Sequence, residues 1–124
     1  MSYNEKPRMM VLKGLIQIII SYILYRYGDM YGYQIKKNVE KFYNKKIPQG
    51  MIYVTLRRMR KNNILDVYEK DGKQYYRLTD AGLQFFRNHI EVLRKADKAI
   101  SEILTYMDSE VNKTNSFSPS SQSV

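Results

Sequence analysis

Residues 47–82 read IPQGMIYVTLRRMRKNNILDVYEKDGKQYYRLTDAG. The pattern predicts a helix over about 48–61, a two-stranded hairpin, and a second helix opening at Thr79. Asp71-Gly72 is the residue pair a type I′ turn needs, because both central positions take positive φ. A two-residue turn fixes the register. Lys70 then faces Lys73, Glu69 faces Gln74, Tyr68 faces Tyr75, Val67 faces Tyr76, Asp66 faces Arg77 and Leu65 faces Leu78. Opposite residues share a face of the ribbon. Leu65, Val67, Tyr76 and Leu78 make a core-facing side. Asp66, Arg77, Tyr68, Tyr75 and the two tip lysines make a solvated, basic one.

The helix before the hairpin has a matching division. Pro48 suits a first helical turn. Ile52, Leu56 and Met59 recur at helical spacing and form a buried stripe with Thr55 at its edge. At about 100° per residue, Gly50, Val54, Arg57, Arg58 and Lys61 fall on the opposite side. A run of charge on a helix is most often only a solvated face. Here, however, no Asp or Glu occurs between Glu40 and Asp66, so the cations have no acidic neighbour in sequence. A basic helix followed at once by a basic hairpin is the layout of a winged helix-turn-helix.

The remaining chain reads as support for this layout. Its 124 residues suit one small domain, more comfortably as a dimer. The net charge is +9, and residues 36–77 alone carry twelve Lys/Arg against four Asp/Glu. Concentrated positive charge points first to nucleic acid and second to an anionic membrane. There is no Cys for a disulfide framework or a cysteine metal site. One His, no clustered carboxylates and no Gly-rich phosphate loop leave little for catalysis, so no enzyme activity and no cofactor or metal are expected. No leader pattern is evident at the N-terminus, and a cytoplasmic location is expected. The apolar run Gly14–Tyr25 is about two-thirds of a membrane span and is interrupted by Gln17 and Ser21, which favours a buried helix over a membrane segment.

In chain order, a helix from about Pro7 to Tyr27 carries Met9, Leu12, Leu15, Ile16, Ile19, Ile20, Ile23 and Leu24. It is apolar on more than one side, and a partner subunit is the economical cover for the excess. Gly28-Asp29 ends it. The next helix begins at Tyr31-Gly32-Tyr33, buries Ile35, Val39 and Phe42, and turns Lys36, Lys37, Lys41, Lys45 and Lys46 outward or into the following loop. Thr79 is a good N-cap for a last helix reaching about Asp108. Phe86, Leu93, Ile100 and Met107 occupy one heptad position of that helix, and His89, Ala96 and Ile103 the other. The expected organisation is a DNA-binding unit over 1–82, a dimerisation helix over 83–108 in the same compact unit, and a flexible Ser-rich tail over 109–124. Leu15, Ile19, Phe86, Leu93, Ile100, Ile103 and Met107 are the expected dimer contacts.

Three blocks resemble the PadR family of transcriptional regulators, in the right order and spacing. They are Tyr31-Gly32-Tyr33-Gln34-Ile35, then Gly50-Met51-Ile52-Tyr53-Val54-Thr55-Leu56-Arg57-Arg58-Met59, then Tyr75-Tyr76-Arg77-Leu78-Thr79-Asp80-Ala81-Gly82. The resemblance spans roughly residues 9–108, and the single C-terminal helix looks like the shorter subgroup. Met51 stands where the family often has a small hydroxyl residue, Val54 where it has proline, and Asn63 where it favours glycine. The resemblance implies a homodimeric, mainly α winged helix-turn-helix with a small β-hairpin wing and a long C-terminal dimerisation helix. It further implies binding to palindromic operators in double-stranded DNA, usually as a repressor, through dimers built on the first and last helices. Some relatives bind drugs between subunits; no residue pattern here supports a small-molecule effector. The expected DNA contacts are Gln49, Tyr53, Val54, Arg57, Arg58 and Lys61 on the basic helix, with Lys70 and Lys73 on the wing. The competing reading is a winged-helix module that binds another protein of the transcription machinery, with DNA contact incidental.

Overall fold

The computed structural model describes residues 7–116, with side chains from Leu12 to Lys113. The elements in order are α1 (Pro7–Tyr27), β1 (Met30–Tyr31), α2 (Gly32–Tyr43), α3 (Gln49–Lys61), β2 (Leu65–Lys70), β3 (Lys73–Leu78), α4 (Asp80–Asn88) and α5 (Ile90–Ser116). The fold is mainly α with a three-stranded antiparallel sheet of order β1-β3-β2. The chain divides after Asn88 into two compact units.

The first unit is built around α1. Leu12, Ile16, Ile19, Ile20, Ile23 and Leu24 are buried together with Ile35 and Val39 of α2, Ile52, Leu56 and Met59 of α3, and Ile64 and Leu65 at the start of the hairpin. Helices α2, α3 and α4 and strand β3 all pack on α1. These neighbours cover one side of α1; on the other, Leu15, Ile18 and Tyr22 are half-buried and Tyr25 is 56 % exposed, so an apolar strip remains at the surface. Ile19, expected at a dimer contact, is only 6 % exposed in the chain's own core, whereas Leu15 is half-buried. The side chain of Met9 lies outside the described residues. Ser21 is fully buried inside α1 without penalty, because its hydroxyl donates to the Gln17 carbonyl at 2.8 Å.

Helix α2 begins where the sequence placed it, but Phe42 is 55 % exposed and leaves the buried stripe to Ile35 and Val39. Its ring instead lies 5.3 Å from that of Tyr22 on α1. Helix α2 ends in a left-handed residue, Asn44 (φ 57°). Helix α3 ends likewise at Asn63 (φ 63°), and the Ile64 amide reaches back to the Met59 carbonyl at 2.9 Å. This is the αL ending that asparagine tolerates in place of glycine. Ile52, Thr55, Leu56 and Met59 are buried, as their spacing required.

The hairpin has the register read from Asp71-Gly72, from Leu65↔Leu78 to Lys70↔Lys73. Both turn residues take positive φ, 51° and 76°. Strand β1 has no signature in the sequence pattern. Its two residues pair with β3 as Met30↔Tyr76 and Tyr31↔Tyr75. Two residues are too short to show any alternation in sequence, and YGY read simply as a helix start.

Thr79 caps α4. Its hydroxyl accepts the Gly82 amide at 2.8 Å and donates to the Asn63 carbonyl at 2.6 Å. The single helix expected from Thr79 to about Asp108 is in fact two, separated at His89. Neither Pro nor Gly marks the break; Asn88 and His89 are both weak helix formers. Phe86, placed on the same seam as α5, belongs to the first unit, with its ring 5.8 Å from that of Tyr25. The second unit is α5. It runs past the expected boundary at Asp108 to Ser116, so the expected tail is helical over its first part. Residues 117–124 of that tail lie outside the described residues. Among the described residues, no helix is long and apolar enough to cross a membrane.

Candidate nucleic-acid interface

Helix α3 separates its side chains by chemistry. Val54, Arg57, Arg58 and Lys61 are exposed opposite the buried stripe, and Gln49 is exposed at its flank in the first turn. Val54, a large apolar residue, is 47 % exposed among these cations. Among the described residues, Arg57, Arg58, Arg60 and Lys61 are in no ion pair. Four cations in one helical turn therefore present their charge to solvent.

The rows along α3 have different surroundings. Gly50, Val54 and Arg58, with Met51 and Thr55, form one wall of an open cleft of about 460 Å³; Lys13, Ile16 and Gln17 of α1 form the other. Arg57 and Arg60 instead lie beside Tyr76 of β3. Burial pushes the Tyr76 hydroxyl above its ordinary pKa, Tyr53 adds to the rise, and the charges of Arg60 and Arg57 oppose it. Lys13 and Arg60 lie outside the set of contacts that the sequence predicts. Lys13 follows helical spacing only on α1, so its place in the same cleft as Arg58 appears only when the helices pack.

Tyr53 is half-buried, and its ring is seated on α2 at Gly32. A Cβ added at Gly32 would lie 2.7 Å from both Cε1 and the hydroxyl oxygen of Tyr53. The absence of a side chain at Gly32 is what allows Tyr53 to lie across the start of α2. The helix-turn-helix thus fixes this tyrosine through backbone contact.

Between α2 and α3, Glu40 arranges part of the basic segment. It lies within 3.1 Å of Lys36 Nζ and 3.7 Å of Lys37 Nζ, and accepts the Ile47 amide at 2.8 Å. That backbone hydrogen bond is the main reason its carboxyl sits below the ordinary range; partial burial opposes the shift, and the two lysines reinforce it. Lys36 and Lys37, read as outward charges, therefore help hold the turn. Sequence alone gave no sign that Glu40 would be only 8 % exposed.

On the hairpin, Lys70 and Lys73 are exposed at the tip end. Arg77 and Asp66 form a 3.2 Å ion pair on the solvated face. Among the described residues, no group of three or more His, Cys, Asp and Glu could hold a metal ion.

A helix pair whose second member is solvated and basic, backed by a small antiparallel sheet with a projecting hairpin, defines a winged helix-turn-helix DNA-binding protein. Residues 20–88 match the transcriptional regulator PadR-like family, and the chain belongs to that family. A PadR-like transcriptional regulator from Bacillus cereus has 25 % identity and a TM-score of 0.70, covering 77 % of this chain and 96 % of its own. A transcriptional regulator from Clostridium thermocellum has 29 % identity and a TM-score of 0.67, with 74 % and 92 % covered. A PadR family transcription regulator from Clostridium difficile has 30 % identity and a TM-score of 0.63, with 73 % and 98 % covered. Among curated proteins, no match was found. The chain is thus a DNA-binding transcriptional regulator of the PadR-like family.

Proposed function

We infer that this regulator acts as a homodimeric repressor in the cytoplasm, occupying a palindromic operator with α3 of each subunit in the major groove. The observation that carries the reading is the exposed, unpaired row of cations on α3. Arg57 and Arg58 have the planar donors suited to guanine, and Lys61 suits a phosphate. Gln49 and Val54 stand where a base edge or thymine methyl could be met. Tyr53, seated against Gly32, would touch the sugar-phosphate backbone or the groove edge. Lys70 and Lys73 would anchor the wing on phosphate.

Dimerisation is supported by α5. Ile100, Ile103 and Met107 are 52, 60 and 51 % exposed, with Leu104 beside them and Leu93 half-buried on the same stripe. A row of this kind, running about 21 Å along the helix from Leu93 to Met107, is expensive to leave in water and matches a second copy of itself. Two-fold symmetry then requires half-sites about one helical turn, or a multiple of it, apart.

The test is footprinting of the protein on the region upstream of its own gene, at moderate salt. A protected palindrome, with reduced transcription from the adjoining promoter, is expected. Protection nowhere would refute the operator reading and favour docking on another protein.

A further inference from the structure

The solvated face of the wing carries an arrangement that the DNA-contact residues do not account for. Three tyrosine rings from three strands meet in a continuous row. The rings of Tyr68 and Tyr75 are stacked at 5.7 Å and 21°, and Tyr31 meets Tyr75 edge-on at 5.6 Å and 69°. All three are half-buried. Each carries or adjoins a cation: Lys73 Nζ is 5.2 Å from the Tyr31 ring centre, Lys70 Nζ is 5.4 Å from that of Tyr75, and the Arg77 guanidinium is 5.1 Å from that of Tyr68.

The row is tied down at one end. The Tyr68 hydroxyl donates to Asp29 Oδ2 at 2.7 Å, a bond that joins the wing to the corner between α1 and β1. This hydrogen bond is the first cause of the raised pKa of Tyr68, ahead of burial and the Asp29 charge. At the other end, Tyr31 is fixed by pairing with β3, and its amide donates to Gln34 Oε1 on α2 at 3.2 Å.

A lysine at a hairpin tip ordinarily has four free torsions and loses much of that freedom when it meets a phosphate. An ammonium held over an aromatic face has already given up part of it. We propose that Tyr31, Tyr75 and Tyr68 are positioning residues for the wing: they hold the Lys73 and Lys70 ammonium groups at a fixed place relative to α2 and so set where the wing meets the DNA backbone. The inference deepens the reading of the wing lysines as phosphate anchors and rests on it.

The test is a double-substitution cycle between Tyr31 and Lys73. Binding is measured over a salt series on a duplex selected from a random-sequence pool by the wild-type protein. The proteins are wild type, Tyr31→Leu, Tyr31→Phe, Lys73→Ala and the two combinations, each checked by thermal melt. A lost phosphate contact lowers the salt slope by about 0.9, which is about a 3.5-fold smaller loss of affinity on a fourfold rise in salt. With wild-type Tyr31, or in the Tyr31→Phe background, Lys73→Ala should lower the slope by about that amount per subunit. In the Tyr31→Leu background it should lower it by less than half as much.

If Lys73→Ala has the same effect in every background, the lysine touches DNA without help from the ring and the positioning role is overturned. If Lys73→Ala changes nothing even with Tyr31 present, the anchor reading fails and takes the inference with it. The NMR shift of the Lys73 ε-methylene protons gives an answer independent of folding yield. In the DNA-free wild-type protein the ring current of Tyr31 should hold them upfield of those of Lys61. Equal shifts for the two lysines would overturn the proposal.

Discussion

Replacement of Gly82 by alanine tests how tightly the hairpin is joined to α4. An added Cβ would lie 2.1 Å from the Ile64 carbonyl oxygen and 2.9 Å from Leu78 Cδ1. Ordinary carbon–oxygen contact begins near 3.3 Å, so α4 must back away by about 1.2 Å. The same oxygen accepts the Thr79 amide at 3.1 Å and lies 3.2 Å from the Thr79 hydroxyl, so the movement also strains the cap. Overpacking of this kind costs about 1–3 kcal/mol, and a weakened hydrogen bond adds about 1 kcal/mol. Alanine's better helix propensity returns about 1 kcal/mol. The net expectation is a loss of about 1–3 kcal/mol, a substantial part of a typical domain's 5–15 kcal/mol. Urea unfolding at fixed protein concentration measures it, with Gly14→Ala as the control. Nothing lies within 4 Å of a Cβ at Gly14 of α1, so that change should be neutral or gain up to about 1 kcal/mol. The reasoning is refuted if Gly82→Ala is as stable as wild type with an unchanged urea slope, or if the two glycines behave alike.

Three further outcomes are expected. Arg58→Ala should cost about 1–3 kcal/mol on the operator and narrow the gap between operator and scrambled duplex, while Lys73→Ala weakens both duplexes by similar factors; the reverse pattern would exchange their roles. Ile100→Glu should place a charge in the α5 seam and give monomers with weakened operator binding, and an unchanged mass by light scattering would contradict it. Glu40 has its folded-state pKa depressed, chiefly by the Ile47 amide, so its contribution to stability is present above the ordinary carboxylate pKa, about 4.5, and is lost as pH falls through the lower folded value. Melting temperatures of wild type and Glu40→Gln should therefore differ most near neutrality and converge on acidification below about pH 4.5; a gap that widens in acid would show the sign to be wrong.

The hairpin was legible in sequence because its determinants are local. Asp71-Gly72 dictates the turn, the turn dictates the register, and alternation dictates the faces. The division of α3 into buried and basic sides was equally local, since four buried residues fall on one helical stripe. What escaped the sequence depends on partners distant in the chain. Glu40 becomes a structural carboxylate only when the loop brings the Ile47 amide to it. Tyr31 is read as a helix start until β3 is alongside, and Lys13 comes to line one cleft with Arg58 only when α1 and α3 pack. Periodicity misled in one place: the heptad runs on across His89, where two weak helix formers end α4. On α1 it could not tell Ile19, which enters the chain's own core, from Leu15, which stays half-buried. The roles of Gly32 and Gly82 were likewise hidden, because what each glycine makes room for is Tyr53 in one case and the Ile64 carbonyl in the other.

Strand β1 has a consequence for the order in which the molecule assembles. The β2–β3 ribbon closes through a two-residue turn and can form on the microsecond scale, but an isolated two-stranded ribbon is marginal in water. Its third strand comes from the far side of α2 and α3 in sequence, so it can add only after those helices have been brought round. The last closure is therefore also the one that makes the sheet stable. The wing is consequently not a separable module: a chain with Met30–Tyr31 undocked would lose the edge pairing of β3 and the anchored start of α2 in the same step. Amide protons of β3 facing β1 should exchange in concert with those at the start of α2, and an insertion at the Gly28-Asp29 corner would loosen α2 and the wing together.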